Sequence, residues 1–241
     1  MKLKAFFFTS IAAGMMFTSP ANALKPEGFL TQQTSPDSLA ILPPPPAEDS
    51  ARFQYDKARY ESGRLRQNAD RTRLASEDAN YKNFGQAFSV AYGMEISEIQ
   101  TPVLYHLLTQ VLQDSHDYAM RSAKEYYKRV RPFVIYKNVT CTPKKDKKMA
   151  TTGSYPSGHA SFGWAAALVL SEINPQRETA ILRRGYDFGE SRIVCGAHWQ
   201  SDVDAGRLMG AVVVAALHNN PGFTEQLREA KNEFAKLNAG N

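Results

Sequence analysis

The apolar positions of this chain recur at helical spacing, and no run alternates in the manner of a half-exposed β-strand. One such series has the members Leu104, Leu107, Leu108, Val111 and Leu112. Thr101 as the N-cap and Pro102 in the first turn predict where this helix begins. The helix can run as far as about Arg129, because Pro132 stops it soon afterwards.

Two further segments, 161–170 and 209–217, are nearly continuous apolar runs with the composition of buried helices. Residues 56–74 are rich in good helix formers. We therefore predict an all-α protein with a single compact helical domain over residues 51–241. Residues 24–50 match no regular element and contain four consecutive prolines, Pro43 to Pro46. This extended segment is interpreted as a strap over the domain surface, and a docking site for a partner is the alternative.

Residues 1–23 have the pattern of an export signal. Lys2 and Lys4 form a basic start, an apolar stretch follows, and Ala21-Asn22-Ala23 provides a small-x-small cleavage pattern. An uncleaved anchor is the alternative, although the apolar run is shorter than the roughly 20 residues that span a bilayer. The mature protein is therefore predicted to be exported, without stable membrane insertion.

Charge and cysteine content narrow the class of protein further. The net charge of +5 becomes +3 when the two lysines of residues 1–23 are removed, and acidic and basic residues are mixed, which argues against a nucleic-acid partner. A lysine run, comprising Lys144, Lys145, Lys147 and Lys148, is interpreted as a solvated loop.

In an exported protein Cys141 and Cys195 predict one disulfide, with two buried free thiols as the alternative. No cysteine and histidine spacing resembles a zinc site.

Three segments carry the residue types of a phosphoryl-transfer site: Lys124-x6-Arg131-Pro132, Pro156-Ser157-Gly158-His159 and Ser191-Arg192-x5-His198-x3-Asp202. If they converge, Lys124, Arg131 and Arg192 supply three positive charges suited to phosphate oxygens. Ser157 and Gly158 directly precede an apolar helix, whose first backbone N–H groups can bind an anion.

His198 and Asp202 are four residues apart and would share one face if their segment is helical. A carboxylate on one ring nitrogen fixes the tautomer and leaves the other nitrogen free to attack. His159 would then protonate the leaving oxygen as general acid. The remaining histidines, His106, His116 and His218, are interpreted as structural.

Together the three segments resemble the phosphatase motif of the type 2 phosphatidic acid phosphatase superfamily. The similarity to its bacterial class A non-specific acid phosphatases covers nearly the whole mature chain, including residues 42–46, 153–155 and 195–202. The sequence of residues 29–33 is most similar in appearance to the periplasmic, apyrase-type member of that class. The resemblance implies a helical phosphatase fold and a periplasmic location.

By motif position the resemblance implies that the phosphoryl oxygens are held by Lys124, Arg131, Ser157, Gly158, His159 and Arg192. It makes His198 the nucleophile, Asp202 its orienting partner and His159 the general acid. It also implies an acidic optimum, no metal or other cofactor, vanadate or phosphate as an inhibitory ligand, and a homo-oligomer. The substrates would be small organic phosphates or nucleotides. The choice between phosphomonoesters and nucleoside di- or triphosphates stays open, and a vanadate-dependent haloperoxidase is the alternative function.

Overall fold

The structure is a computed structural model that describes residues 27–65 and 68–240, so the predicted signal peptide lies outside the described residues. Within them the regular structure is helical, which confirms the prediction of an all-α fold. The helices are α1 (Ser38–Ile41), α2 (Ala51–Leu65), α3 (Ala69–Asp78), α4 (Phe84–Tyr92), α5 (Pro102–Leu112), α6 (Arg121–Tyr127), α7 (Pro132–Ile135), α8 (Pro143–Met149), α9 (Gly158–Ile173), α10 (Glu178–Val194), α11 (Gln200–Leu217) and α12 (Pro221–Ala239). Single turns of 3₁₀-helix occupy Tyr81–Asn83 and Pro175–Arg177.

Helix α9 lies at the centre of the molecule, with α10 and α11 packed along it. Its residues Phe162, Ala166 and Leu170 are fully buried, as the apolar run predicted. Small residues bring α10 close: a Cβ atom on Gly185 would lie only 2.4 Å from the Cβ of Ala167. The first turn of α9 therefore begins from a rigid, densely packed core.

Helix α5 begins at Pro102 as predicted, but the hydroxyl of Thr101 does not cap it. That hydroxyl instead accepts a hydrogen bond from the backbone N–H of Ser97 across 3.1 Å. The first amides of α5 donate to the carboxylate of Glu233 in α12, at 3.0 Å from both Val103 and Leu104. A side chain about 130 residues away thus supplies the cap, and the negative charge suits a helix N-terminus.

The prediction of one helix from residue 102 to about Arg129 is wrong. Helix α5 ends at Leu112, a π-helical turn covers Gln113–Tyr118, and α6 is a separate short helix. Polar side chains in this turn bond to backbone groups: Ser115 Oγ donates to the Val111 carbonyl across 2.6 Å, and Asp114 accepts the N–H of Leu30 across 3.1 Å. Such bonds compete with the regular helical ladder. Lys124 consequently lies on α6, outside the long helix.

The N-terminal segment runs over the domain and is held at several points. Asn220 Nδ2 donates to the carbonyl of Phe29 across 2.9 Å, and the hydroxyl of Tyr155 donates to that of Pro43 across 2.7 Å. One short helix, α1, interrupts the segment, although the sequence predicted no regular element there; Asp37 caps it by accepting the Leu39 N–H across 3.0 Å. The boundaries at residues 23 and 50 stay predictions. Nowhere in residues 27–65 and 68–240 is there a helix with the length and apolarity needed to span a bilayer.

Candidate active site

The imidazole of His198 lies between a guanidinium and a carboxylate. Arg131 Nη1 donates to His198 Nε2 across 2.9 Å, and His198 Nδ1 faces Asp202 Oδ2 at 3.3 Å. Since a guanidinium can only donate, Nε2 must present a lone pair, and the ring proton is assigned to Nδ1, where it points at Asp202. The ring is only 3% exposed. The tautomer is therefore the one in which Nε2 is the basic nitrogen.

Asp202 reaches His198 by a route that the residue spacing did not predict. The two residues do not share a helix face, because α11 begins only at Gln200, after His198. Asp202 lies in the first turn of α11, where Oδ2 accepts the N–H of the N-cap residue Trp199 across 2.9 Å. This capping bond turns the carboxylate back toward the preceding residue. The N-terminus of α11 thus places the Asp202 carboxylate beside the His198 ring.

A second arginine fixes Asp202 from behind and was missed by the sequence analysis. Arg129 Nη1 donates to Asp202 Oδ1 across 2.6 Å, while its Nη2 donates to Asp56 Oδ2 across 2.7 Å. Asp56, on α2, also accepts the backbone N–H of Ser201 across 2.8 Å. Both carboxylates are almost fully buried. The only sequence signal was a basic residue two positions before Arg131, within a chain rich in surface arginines.

Arg131 and Lys124 converge on the loop before α9. Arg131 Nε donates to the carbonyl of Met149 across 3.0 Å, and its Nη2 donates to that of Gly153 across 3.2 Å. Lys124 Nζ donates to the same Gly153 carbonyl across 3.5 Å and also to the carbonyl of Pro156. Burial lowers the pKa of Lys124 to about 7, and the positive charge of Arg131 acts in the same direction. An anion in this place would restore the charge of the lysine.

Arg192 supplies the clearest sign of an anion site. Its side chain is 1% exposed, and neither Nε nor Nη1 makes a hydrogen bond to any residue that the structure describes. Burial lowers its pKa to about 10, and repulsion from Arg131 adds to the effect. The last turn of α10 is held in place because Ser191 Oγ donates to Asp78 Oδ2 across 2.5 Å. Buried donors left unpaired cost free energy, so these two fit a ligand that accepts hydrogen bonds.

The N-terminus of α9 adds backbone N–H groups to the cations of the site. Ser157 is the N-cap, and its Oγ accepts the N–H of Ala160 across 3.3 Å. The amides of Gly158 and His159 lie in the first turn and so outside the intrahelical ladder. Gly158 is required by close packing, because a Cβ atom there would lie 2.8 Å from the carbonyl oxygen of His116. A bare helix N-terminus of this kind favours an anion.

His159 follows directly and is half-buried. Its Nε2 lies 3.3 Å from the carbonyl oxygen of Ala79; since that oxygen only accepts, we assign a proton to Nε2. Burial lowers the pKa of His159 well below its usual range, and the positive charge of Arg192 is the next cause. The pKa of His198 is lowered in the same way, first by burial and then by Arg131. Both imidazoles are therefore neutral in the ligand-free site.

His116 belongs to this site, although the sequence analysis interpreted it as structural. Its ring stacks edge-on against that of His159, with centroids 5.0 Å apart, and it also packs against Tyr81. Its Nδ1 lies 2.7 Å from Asp117 Oδ1. His116 is in the π-helical turn, whose position no periodic pattern predicts. By contrast, His106 is exposed, and His218 pairs with Glu172 across 2.9 Å.

The predicted disulfide between Cys141 and Cys195 is present in the structure. Cys195 follows α10 directly, three residues after Arg192 and three before His198. Gly196 next to it has a φ of +76°, a left-handed conformation that glycine adopts readily. The backbone N–H of Cys141 also donates to the carbonyl of Cys195 across 3.1 Å. The bridge thus ties the turn that presents His198 to the segment leading into α8.

The residues that the sequence analysis singled out lie around one site, and each contributes a charge, a hydrogen bond or part of a helix terminus to it. They are Lys124, Arg131, Ser157, Gly158, His159, Arg192, His198 and Asp202. In the described part of the chain, no group of histidine, cysteine, aspartate or glutamate residues has the arrangement of a metal site. The site is cationic, with a neutral, oriented imidazole at its floor.

Comparison with known proteins identifies the family. The model of the PAP2 superfamily matches residues 102–224, which include every motif residue named above. The chain belongs to the PAP2 superfamily. Within this superfamily it is similar to a "Non-specific acid phosphatase" of Providencia stuartii, at 49% identity over 97% of this chain and 95% of that protein.

Two further bacterial acid phosphatases extend this comparison. A "Non-specific acid phosphatase" of Salmonella typhimurium is 41% identical over 97% of this chain and 92% of its own length. An "Acid phosphatase" of Zymomonas mobilis is 37% identical over 94% of this chain and 86% of its own length. The similarity to class A acid phosphatases that the sequence motifs indicated is therefore confirmed.

Proposed function

We propose that this protein is an acid phosphatase that cleaves phosphoesters through a phosphohistidine on His198, without a metal ion. The observation that carries the proposal is the pairing of two features. Arg192 has buried donors without a protein partner, and His198 turns the lone pair of Nε2 toward the same cluster of cations. In a bound phosphoester, the phosphate oxygens would accept hydrogen bonds from the unpaired donors of Arg192. The phosphorus atom would face the lone pair of His198 Nε2. The names of the relatives support the same reaction class.

In the first step the Nε2–P bond forms while the P–O bond to the leaving group breaks. The entering phosphoryl group takes over the hydrogen bond that Arg131 Nη1 makes to Nε2, which frees the lone pair for attack. Lys124, Arg131 and Arg192, with the first amides of α9, hold the charged equatorial oxygens. The positive charge that develops on the His198 ring is stabilised by Asp202 at Nδ1.

His159 supplies the proton that the leaving oxygen requires. Because its Nε2–H donates to the Ala79 carbonyl, the proton that is gained and transferred is the one on Nδ1. In the second step water attacks phosphorus, the P–Nε2 bond breaks, and the same Nδ1 accepts the proton of the water. His198 returns to its neutral state, and inorganic phosphate leaves.

The same charges account for activity in acid. A nucleophilic imidazole must be neutral. Burial, reinforced by the surrounding cations, keeps the pKa of His198 well below its usual range, so the ring stays neutral as the pH falls. His159 must instead carry an extra proton. A bound phosphate dianion offsets the cations that depress the pKa of His159, so this proton is acquired in the complex. Substrate binding and the protonation of the general acid are thus coupled.

For substrates we propose phosphomonoesters and, at the same site, the terminal phosphates of nucleoside di- and triphosphates. The contacts described above all grip the transferred phosphoryl group, which leaves the rest of the substrate weakly specified. We further propose that the chain is exported to the periplasm through residues 1–23 and functions there as a homo-oligomer. The N-terminal pattern supports the first of these, and the family resemblance supports the second.

The decisive experiment is to trap the intermediate. Wild-type protein mixed with ³²P-labelled substrate and quenched in alkali should retain label, since phosphohistidine is stable to alkali and labile to acid. His198→Ala should retain none, whereas His159→Ala should still form the adduct with a good leaving group such as p-nitrophenol. Labelling that persists in His198→Ala would refute the proposal, as would loss of activity in excess EDTA. Halide oxidation with added vanadate is the result expected of a haloperoxidase.

A further inference from the structure

One member of the lysine run behaves unlike the others. The run is not a loop: it forms α8, which is held because Thr140 Oγ1 donates to Asp146 Oδ1 across 2.5 Å. Lys145 Nζ donates to the carbonyl oxygen of Ala79 across 3.1 Å. Within the ranges that the structure describes, Lys144 and Lys148 are exposed and their ammonium groups form no hydrogen bond. Lys145 is exposed as well, but its ammonium group bonds to a backbone carbonyl of another segment of the chain.

The acceptor of Lys145 identifies the part of the site that it faces. The carbonyl oxygen of Ala79 also receives the Nε2–H of His159, so the ammonium group and the imidazole of the general acid meet at one atom. The positive charge of Arg192 and partial burial both lower the pKa of Lys145, burial being the larger cause. Lys145 therefore lies beside the proposed catalytic site, next to the Nε2 edge of the His159 ring, while Nδ1 of the same ring is the atom proposed to protonate the leaving oxygen.

A cation on the leaving-group side distinguishes two substrate classes. When a phosphomonoester is cleaved, the leaving group is an alcohol or phenol without further charge. When a phosphoanhydride is cleaved, the leaving group is itself a phosphate, whose remaining oxygens are negatively charged. The cations that grip the transferred group cannot recognise this difference, because they contact the same three oxygens in both substrates. A positive charge beside His159 can recognise it.

We propose that Lys145 determines specificity for phosphoanhydride substrates by binding the phosphate next to the scissile bond in nucleoside di- and triphosphates. The proposal rests on the proposed function, since it takes His159 to mark the leaving-group side. Lys145 exchanges its bond to the Ala79 carbonyl for one to an anionic oxygen of the leaving phosphate. The Ala79 carbonyl keeps its bond from His159. The exposed position of Lys145 lets the side chain move without disturbing the core.

The test compares matched substrates in matched variants. Lys145→Met removes the charge and keeps the length of the side chain, and Lys148→Met does the same at an exposed position of the same helix. The quantity to measure is the ratio of kcat/KM for ADP to that for AMP, because these substrates share a nucleoside and differ in the leaving group. Loss of one charge-assisted hydrogen bond to phosphate predicts a fall of about tenfold in this ratio for Lys145→Met. Lys148→Met should keep the wild-type ratio, and Lys145→Arg should recover most of it.

Two results would overturn the proposal. Wild-type values of kcat/KM for both ADP and AMP in Lys145→Met would mean that the ammonium group contacts no leaving phosphate. An equal loss on ADP and AMP would mean that Lys145 acts only through Ala79 and His159, as a positioning residue for the general acid. Failure of the proposed function is separately visible, because wild-type protein would then form no ³²P-labelled His198 with any substrate. Raising the salt concentration should also lower the wild-type ratio, since salt screens the charge of an exposed side chain.

Discussion

Arg129 Nη1 lies 2.6 Å from Asp202 Oδ1, and this buried ion pair stands directly behind the imidazole of His198. Asp202 uses its other oxygen for the ring and for the N–H of Trp199, so each of its oxygens has a separate task. Arg129 also holds Asp56, at 2.7 Å, and thereby connects α2 to the start of α11. The orientation of His198, the proposed nucleophile, therefore depends on a residue outside the motif.

Replacing Arg129 should reduce both stability and turnover. Arg129→Gln leaves two buried carboxylates without their counter-charge, and breaking such a pair costs about 3–5 kcal/mol in the free energy of unfolding. Because His198 loses its fixed carboxylate, kcat should fall about 100-fold. Urea unfolding and steady-state kinetics measure the two effects.

Arg228→Gln is the matched control, because its pair with Glu225 is exposed to solvent and should contribute little to stability. Arg129→Lys should restore part of the stability. In the described part of the chain Arg129 forms no hydrogen bond to Lys124, Arg131 or Arg192, the cations proposed to bind phosphate, so KM should change much less than kcat. An equal rise in KM would contradict the positioning role.

The protonation of His159 should depend on whether the site holds an anion. Without ligand its pKa is well below the usual range, because burial and the charge of Arg192 disfavour the imidazolium. Inorganic phosphate offsets that positive charge, so the pKa of His159 should rise when phosphate is added. Histidine-selective NMR titration at several phosphate concentrations measures this shift. His218, exposed and paired with Glu172, is the internal control and should not respond. A His159 pKa independent of phosphate would contradict the coupling.

His116 should tune the general acid. Its positive charge, when present, disfavours a second charge on His159, and it is one of the causes that lower the pKa of that ring. His116→Phe keeps an aromatic ring against His159 and removes the charge, so the pKa of His159 should rise and the basic limb of the pH–kcat profile should move to higher pH. His116→Ala also removes the ring contact and should lower kcat in addition. Identical pH profiles for wild type and His116→Phe would disprove the electrostatic effect.

The disulfide should contribute strongly to global stability. Cys141 and Cys195 are 54 residues apart, and closing a loop of that length is worth about 4 kcal/mol in the chain-entropy model. The double variant Cys141→Ser/Cys195→Ser should lose stability of this order in urea unfolding. Wild-type protein unfolded in the presence of a thiol reductant should show the same loss, and the double variant should be insensitive to it. Equal midpoints for oxidised and reduced wild type would contradict the prediction.

The site shows which contacts residue spacing predicted correctly and which it did not. His198 and Asp202 were expected to meet because residues four apart share a helix face. They do meet, but through a helix start at Gln200, where Asp202 caps the N–H of Trp199 and turns back. The single long helix expected after Pro102 is broken by the π-helical turn around Asp114. Local spacing could not predict this break, because the bonds of Asp114 to Phe29 and Leu30 come from more than 80 residues away.

By itself the sequence determined the helical class, because apolar periodicity is a local property that each segment carries in its own residues. The three contiguous motif segments also allowed the sequence to predict which residues form the site. Tertiary structure alone decided that Arg129 anchors Asp202, that His116 packs on His159, and that Lys145 shares the Ala79 carbonyl with His159. The residues that contact each other in these relationships are separated by 43 to 80 positions in the sequence. Each arises from the packing of separate helices, which no local pattern encodes.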